Sequence, residues 1–408
     1  MSEIVARGDR PFDVVLYGAT SFVGRLVAEH LQRRAAKDGA IRWAIAGRDP
    51  RKLEQLRAAL ALDVPVLLAE ATDDAALDAL ASQARVIAST VGPYGRYGSS
   101  LVRACATAGT DYCDLTAEVP WMCAMTEQHG DIARRTGARL VHGCGFDSIP
   151  SDLGVWHLQQ TAQQQLGEYC VRVEAGLKKA SGGFSGGTAA SLADMVACST
   201  DDRQARALML NPYALAGGVG GVQKDRLLPA RNRHSGEWSA PFIMAPINTR
   251  VVQRSHALSG FPWGADFCYE EVMYTGKGVI GAVMAAGVTV ALGGLVTLAA
   301  VPLTRPLLKK MLPDPGTGPS RQSIESGFFE LHGNGITAGG QRVRLIVRGD
   351  KDPGYGATSR MLGETALCLA EDDGGASGGF LTPSTALGET LLARLEKYAG
   401  MQFHAFID

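Results

Sequence analysis

The run VVLYGATSFVGRLVAEHLQ, residues 14–32, joins a short apolar strand to a helix through a turn that begins and ends in glycine. Few folds use that junction. In a doubly wound parallel sheet the first glycine makes the tight turn after the strand, and a glycine at the helix start allows close helix–strand packing. Backbone N–H groups at the helix N-terminus then face an anion. Gly18 and Gly24 hold those two positions, and Val23, Leu26, Val27 and Leu31 form the helix's apolar face. Gly18, Ala19, Thr20, Ser21, Phe22, Val23 and Gly24 are therefore the candidate phosphate cradle. Ser21 stands where a further glycine is usual; it is small, and its hydroxyl is a potential donor to a phosphate. A strand-to-helix turn with no ligand has the same letters, so the cofactor must be argued from other segments.

The second strand supplies the next argument. It ends in WAIAGRDP, with Arg48 where an NAD-type fold carries an acidic residue for the ribose 2′-hydroxyl. A guanidinium there suits a 2′-phosphate, so NADP(H) is the expected cofactor, with Arg51 and Lys52 as helpers. A solvated loop charge is the plainer reading of Arg48, and Asp49 either caps the next helix or meets a ribose. A later strand runs into ASTVGPYGRYG, which sets Thr90, Val91, Gly92 and Pro93 at the sheet's carboxyl edge, where open α/β sheets bind ligands. Tyr94 follows as a candidate proton donor or, more simply, a packing residue. In HGCGFDSIPSDLG, residues 142–154, Asp147 and Ser148 are placed to hydrogen-bond a substrate, and Ser151 or Asp152 to cap the following helix. Tyr94 and Asp147 are the two catalytic candidates.

Short apolar runs at 14–17, 43–46, 66–69, 86–89 and 139–142 alternate with helical periodicity, which predicts an α/β fold: an N-terminal Rossmann-like doubly wound parallel sheet over 1–150. Beyond 150 the texture changes to Gly/Ser clusters such as SGGFSGGTAAS (181–191) and β-rich stretches such as QRVRLIVRG (341–349). A second, α+β substrate domain is expected over 151–408, with C-terminal helices that return to the Rossmann domain as an open option. Residues 278–304 carry no charge over a length sufficient to cross a ~30 Å hydrocarbon core. They are flanked by Lys277 and by Arg305, Lys309 and Lys310. Because β-rich sequence resumes at Phe328, a helix lying on a membrane or over an acyl pocket is preferred to a crossing, with an ordinary buried helix as the alternative.

A formal net charge of −1 in 408 residues offers no field for nucleic acid, which is excluded as a partner. Eight scattered cysteines without a CxxC pair, and histidines without HExxH spacing, argue against a metal site. The charged opening MSEIVARGDRPF lacks a secretory apolar region, so a cytoplasmic protein, peripheral to a membrane or lipid body, is expected.

Taken together, GATSFVGRLVAEHL, AGRD, VGPYGRYGSSLVRACATAGTDYCDLTAE, GCGFDSIPSDLG, SGGTAAS, DPGYGATSRMLGE and GGFLTPSTALGETLLARL resemble the saccharopine dehydrogenase-like oxidoreductases, above all their trans-acting enoyl reductase branch. The resemblance runs in order along nearly the whole chain. It implies an NADP-binding Rossmann domain, a second α/β domain, hydride transfer to a carbon–carbon double bond of a lipid or polyketide-type product, and contact of the hydrophobic segment with membranes or lipid bodies. Ala117 departs from the DLTGE the family often carries, while Glu118 is kept; GFDSIPSD replaces the GLDPG-type loop of true saccharopine reductases. The expected function is thus an NADPH-dependent enoyl reductase for an apolar acyl substrate, with a homodimer as an open option. A saccharopine reductase-like amino-acid dehydrogenase and a non-catalytic nucleotide-binding lipid-surface protein are the alternatives.

Overall fold

The computed structural model describes residues 7–39, 41–182, 200–221, 223–232, 235–305, 318–372 and 377–408. The Gly/Ser cluster from 183 onward, with it SGGTAAS, and Lys309 and Lys310 lie outside them. The strands are β1 Phe12–Tyr17, β2 Trp43–Gly47, β3 Val66–Leu68, β4 Ala84–Ser89, β5 Asp111–Asp114, β6 Arg139–Val141, β7 Cys170–Ser181, β8 Ala230–Arg231, β9 Glu237–Pro241, β10 Cys268–Lys277, β11 Phe328–Thr337, β12 Arg342–Gly349, β13 Gly379–Leu381 and β14 Met401–Ile407. The chain divides into two compact units, Met1–Ile149 with Tyr355–Ala399, and Pro150–Gly354 with Gly400–Asp408. The sequence placed a break at 150; the structure assigns the returning segment 355–399 to the first unit.

The first unit is a parallel sheet of order β13-β6-β5-β4-β1-β2-β3. Val14, Val15 and Leu16 of β1 are fully buried, as expected of a central strand covered on both faces, which reads as a continuous apolar run. Val14 pairs with Trp43 of β2 and with Val86 of β4, so the strand order reverses beside β1. Two strands were missed in the sequence. β5 is four residues with aspartate at each end, and β13 pairs with β6 from a distant part of the chain. One buried arginine of β6 ties β5 to the end of helix Thr358–Glu371: Arg139 donates to Asp111 Oδ2 through Nε (2.9 Å) and to Asp372 Oδ2 through Nη1 (2.8 Å), and on the strand it pairs with Gly379 of β13.

A second buried ion cluster joins helices of the same unit. Glu364, fully buried in helix Thr358–Glu371, lies 2.8 Å from His30 Nε2 and 2.7 Å from Arg34 Nε, both on helix Phe22–Asp38. It also accepts from Arg394 Nε of helix Pro383–Tyr398 at 3.1 Å. Gly363 makes the approach feasible, because a Cβ there would stand 2.7 Å from His30 Cδ2. Burial holds the His30 imidazole below its usual pKa, against the pull of Glu364.

The second unit is a mixed sheet of order β14-β12-β11-β7-β10-β9-β8, in which β7 and β10 run parallel and the other pairs antiparallel. β11 alternates buried and half-buried residues, the pattern of a sheet with one face on a core. Helix Ile149–Leu166 begins before the residues expected to cap it. Ser151 Oγ instead donates to Glu271 Oε1 (2.9 Å), and Asp152 accepts from Ser255 Oγ, so both tie the helix's first turn to its own unit.

Residues 278–300 form one 23-residue helix of mean hydropathy 2.2. Only Gly281, Ala285 and Ala299 are buried, whereas Val279, Ile280, Val283 and Val290 are each at least 66% exposed. The alternative of an ordinary buried helix is therefore corrected: this helix packs on β9 and β10 and leaves most of its apolar surface uncovered.

Candidate functional site

The turn after β1 is built as the glycines require. Gly18 has φ +85°, and a Cβ there would stand 2.6 Å from Val91 Cγ2. On Gly24 it would stand 2.3 Å from the Gly18 carbonyl oxygen. Ser21 caps the helix, accepting from Gly24 N at 2.9 Å. Its Oγ is also 2.9 Å from Thr90 Oγ1, which lies 2.9 Å from Gly18 O. With Thr90 donating to that carbonyl, Ser21 can donate to Thr90. The Ser21 hydroxyl thus has a partner within the turn itself, and the backbone N–H groups of the helix's first turn face the cleft for an anion.

A cleft of about 250 Å³ opens over this turn, with Gly18, Thr20, Ser21, Arg48, Thr90, Val91 and Gly92 on its wall. Ala19, Phe22, Val23, Gly24 and Pro93 shape its surroundings without lining it: Ala19 is buried, and the Phe22 ring meets Tyr355 edge-on at 4.7 Å. Arg48 is exposed and makes no ion pair among the described residues. Asp49 accepts from Arg51 N (3.0 Å) and Lys52 N (3.1 Å), which settles it as a helix cap. Tyr17, Glu70, Ala71 and Tyr97 also line the cleft. The third strand was expected at 66–69, but no signature position of a dinucleotide fold falls at its end, so nothing in the sequence marked Glu70. Burial first, and then the Glu70 carboxylate, push the Tyr17 phenol up to about 12, partly offset by Arg48.

Two carboxylates of DYCDLTAE hold the neighbouring loops. Asp114 Oδ1 accepts from Thr116 N and Gly143 N, both at 3.1 Å, and Oδ2 lies 2.7 Å from His142 Nδ1. Glu118 accepts from Tyr94 N (2.7 Å) and Gly95 N (2.9 Å). His142 is packed among the rings of Tyr112, Trp121 and Phe380.

The two catalytic candidates part company here. Tyr94 is buried; its hydroxyl donates to Ser89 O and accepts from Leu115 N, both at 3.1 Å. Burial, reinforced by Asp114, holds its pKa well above the usual phenol value. Tyr94 is corrected to a bolt between the ends of β4 and β5. Asp147 lies on the loop after β6, fixed by Phe146 N donating to Thr358 Oγ1 at 3.0 Å. Its half-buried carboxyl has no side-chain partner among the described residues, and burial raises it to about 6.

A parallel sheet that reverses order beside β1, a glycine turn at that point and an unpaired arginine at the end of β2 define a dinucleotide-binding oxidoreductase unit for NADP(H). Residues 14–141 match the family model described as saccharopine dehydrogenase NADP binding domain. A Mycobacterium tuberculosis protein named as a candidate trans-acting enoyl reductase is 42% identical over 405 residues, covering 95% of this chain and 96% of its own. A trans-acting enoyl reductase of Mycobacterium bovis is 39% identical over 406 residues, with coverage of 95% and 96%. Apo saccharopine dehydrogenase (L-Glu forming) from Saccharomyces cerevisiae shares the fold, with TM-score 0.54 at 12% identity over 97% of this chain and 99% of that one. The chain belongs to the trans-acting enoyl reductase family of saccharopine dehydrogenase-like proteins and is an NADP-dependent oxidoreductase.

Arg48 is the residue that separates the two dinucleotides. Its substitution by alanine is expected to weaken NADPH binding by roughly 10–100-fold, the value of a charge-assisted hydrogen-bonded contact. NADH binding should stay within about twofold, because it lacks the 2′-phosphate. Fluorescence titration of both dinucleotides measures this; equal losses would remove Arg48 from the 2′-phosphate site.

Proposed function

We propose that this enzyme reduces the carbon–carbon double bond of an apolar enoyl substrate, with Asp147 as proton donor. Relatives named for that activity, matching along almost the full chain, support the reaction class. What supports Asp147 is its place on the loop at the carboxyl end of β6, in the same parallel sheet though outside the lining of the cleft over the glycine turn, with a carboxyl free of side-chain partners among the described residues and raised to about 6. Bound NADPH would supply the hydride for the β-carbon. Asp147 delivers a proton to the α-carbon, the double bond becomes single, and the carboxylate recovers its proton from solvent through its exposed side. A carboxyl near 6 still holds a proton often enough at neutral pH to serve. The test is NADPH consumption with a series of enoyl thioesters of rising chain length, with the saturated product identified. Binding without consumption would favour the non-catalytic reading, and consumption only with a carbonyl and amino-acid pair would favour amino-acid dehydrogenation.

The apolar helix supports a second element of the proposal: peripheral attachment to a membrane or lipid body from the cytoplasm. A 23-residue helix is about 34 Å long, enough to cross. Its start packs on β9 and β10, however, while Arg305, just past its end, donates to Ala299 O (3.0 Å), Thr200 Oγ1 (2.8 Å) and Asp201 Oδ2 (3.1 Å). Both ends are tied to one unit, which favours a helix lying in the interface over a crossing. Replacing Val279, Ile280, Val283 and Val290 by serine is expected to lower partition into phospholipid vesicles at least roughly tenfold, since each buried aliphatic side chain contributes about 1.5 kcal/mol or more. NADPH affinity should be unchanged. Wild-type protein that stays monomeric and vesicle-free in sedimentation would overturn the attachment, and a dimer lost in the serine variant would assign the helix to a second copy instead.

A further inference from the structure

We infer that Glu70 recognises the 6-amino group of the cofactor's adenine, so that one cleft reads the base and the 2′-phosphate with separate, oppositely charged residues. Arg48 and Glu70 both line the cleft of about 250 Å³, both are exposed, and no ion pair joins them. An exposed pair of opposite charges gains little by closing on itself, so both heads stay available to a ligand that enters the cleft.

The backbone at Glu70 is well fixed. Ala69 N donates to Gly47 O at 3.1 Å, which sets the segment beside the residue preceding Arg48. Asp73 N donates to Glu70 O at 3.1 Å, closing the turn beyond it. The carboxylate is thus presented from a rigid turn with no side-chain partner among the described residues. A ligand that satisfies both walls must offer an anion to Arg48 and a hydrogen-bond donor to Glu70. On the adenosine 2′-phosphate half of NADP(H) the donors are the ribose 3′-hydroxyl and the adenine 6-amine. The 3′-hydroxyl adjoins the phosphate, where a carboxylate is repelled; the amine is at the far end of the base, beyond most of that repulsion. Ala71, next to Glu70 on the wall, offers an apolar surface for the base.

The experiment compares NADPH with its hypoxanthine analogue, in which the 6-amine donor becomes a carbonyl acceptor and the adjacent N1 gains a proton, so that a carboxylate aimed at position 6 meets an acceptor. Dissociation constants are read by fluorescence titration for wild type, Glu70→Gln and Glu70→Ala. Wild type is expected to bind the adenine form at least about tenfold more tightly, the cost of facing a carboxylate with an acceptor. Glu70→Ala should abolish the preference, and Glu70→Gln, whose amide can donate, should abolish or reverse it. A wild type without preference, or a preference that survives in Glu70→Ala, overturns the inference. So does an equal change in affinity for both dinucleotides in Glu70→Ala, which would place the carboxylate at the ribose. In every variant the NADPH-over-NADH ratio conferred by Arg48 should persist, showing that the cleft is intact.

Discussion

Asp147→Asn should lower turnover with NADPH and an enoyl thioester by about 10²–10⁴-fold, the usual contribution of a positioned general acid, with little effect on NADPH binding. Asparagine keeps the shape and loses the transferable proton. The pH profile of the wild type carries a second signature. With its carboxyl raised to about 6 by burial, the proportion of protonated acid falls as pH climbs through that value. Turnover is expected to decline above about pH 6, approaching tenfold per unit, until solvent water takes over. Stability falls with rising pH as well, over a lower range. The carboxyl's pKa is higher in the folded chain than in the unfolded one, so its ionisation favours unfolding. Wild type should therefore lose stability between about pH 4 and pH 6, a loss that Asp147→Asn escapes. Thermal unfolding of both proteins at pH 4 and pH 8 measures it. A variant that is inactive and also less stable at pH 8 would mark Asp147 as structural.

Glu364→Ala is expected to destabilise the first unit by about 3–5 kcal/mol, the cost of breaking a buried ion cluster from one side. The carboxylate serves Arg34, Arg394 and His30 at once, so its loss leaves two guanidinium groups buried with less counter-charge. Glu364→Gln keeps hydrogen-bond acceptance without the charge and should lose less. The double variant with Arg394→Met should recover part of the loss, because removing the uncompensated cation removes part of its desolvation cost. Chemical denaturation of wild type, Glu364→Ala, Glu364→Gln, Arg394→Met and the double variant tests this. Additive losses in the double variant would mean that the two residues do not act on each other.

Much of the first unit could be read directly. β1 to β4 and β6 announce themselves as apolar runs between helical stretches, and the glycine turn with Arg48 and Thr90–Gly92 marks the cleft. β5 did not, because DYCD reads as a turn: Asp111 is fully buried only because Arg139 meets it, and that pairing is invisible in a linear sequence. β13 is three residues whose role depends on an edge formed by residues 139–141. Tyr94 was misread for a similar reason. A tyrosine beside a cofactor loop looks like a donor until Ser89 O is found to hold its proton. Glu70 went unnoticed because it follows an expected strand without belonging to any nucleotide-binding motif, whereas Asp147 stood out through its motif and needed the structure only to supply its environment.

The return of residues 355–399 to the first unit has a consequence for how the protein is made. On the ribosome, everything between 150 and 354 is synthesised before the partners that complete the nucleotide-binding sheet, a wait of tens of seconds at roughly 5–20 residues per second. Throughout that interval the nascent sheet has β6 as a bare edge, and the pocket that will receive Glu364 holds unneutralised positive charge. The cofactor-binding unit is begun before residues 150–354 and finished only after them, so a chaperone that shields an open β-edge would have its longest engagement with this protein there.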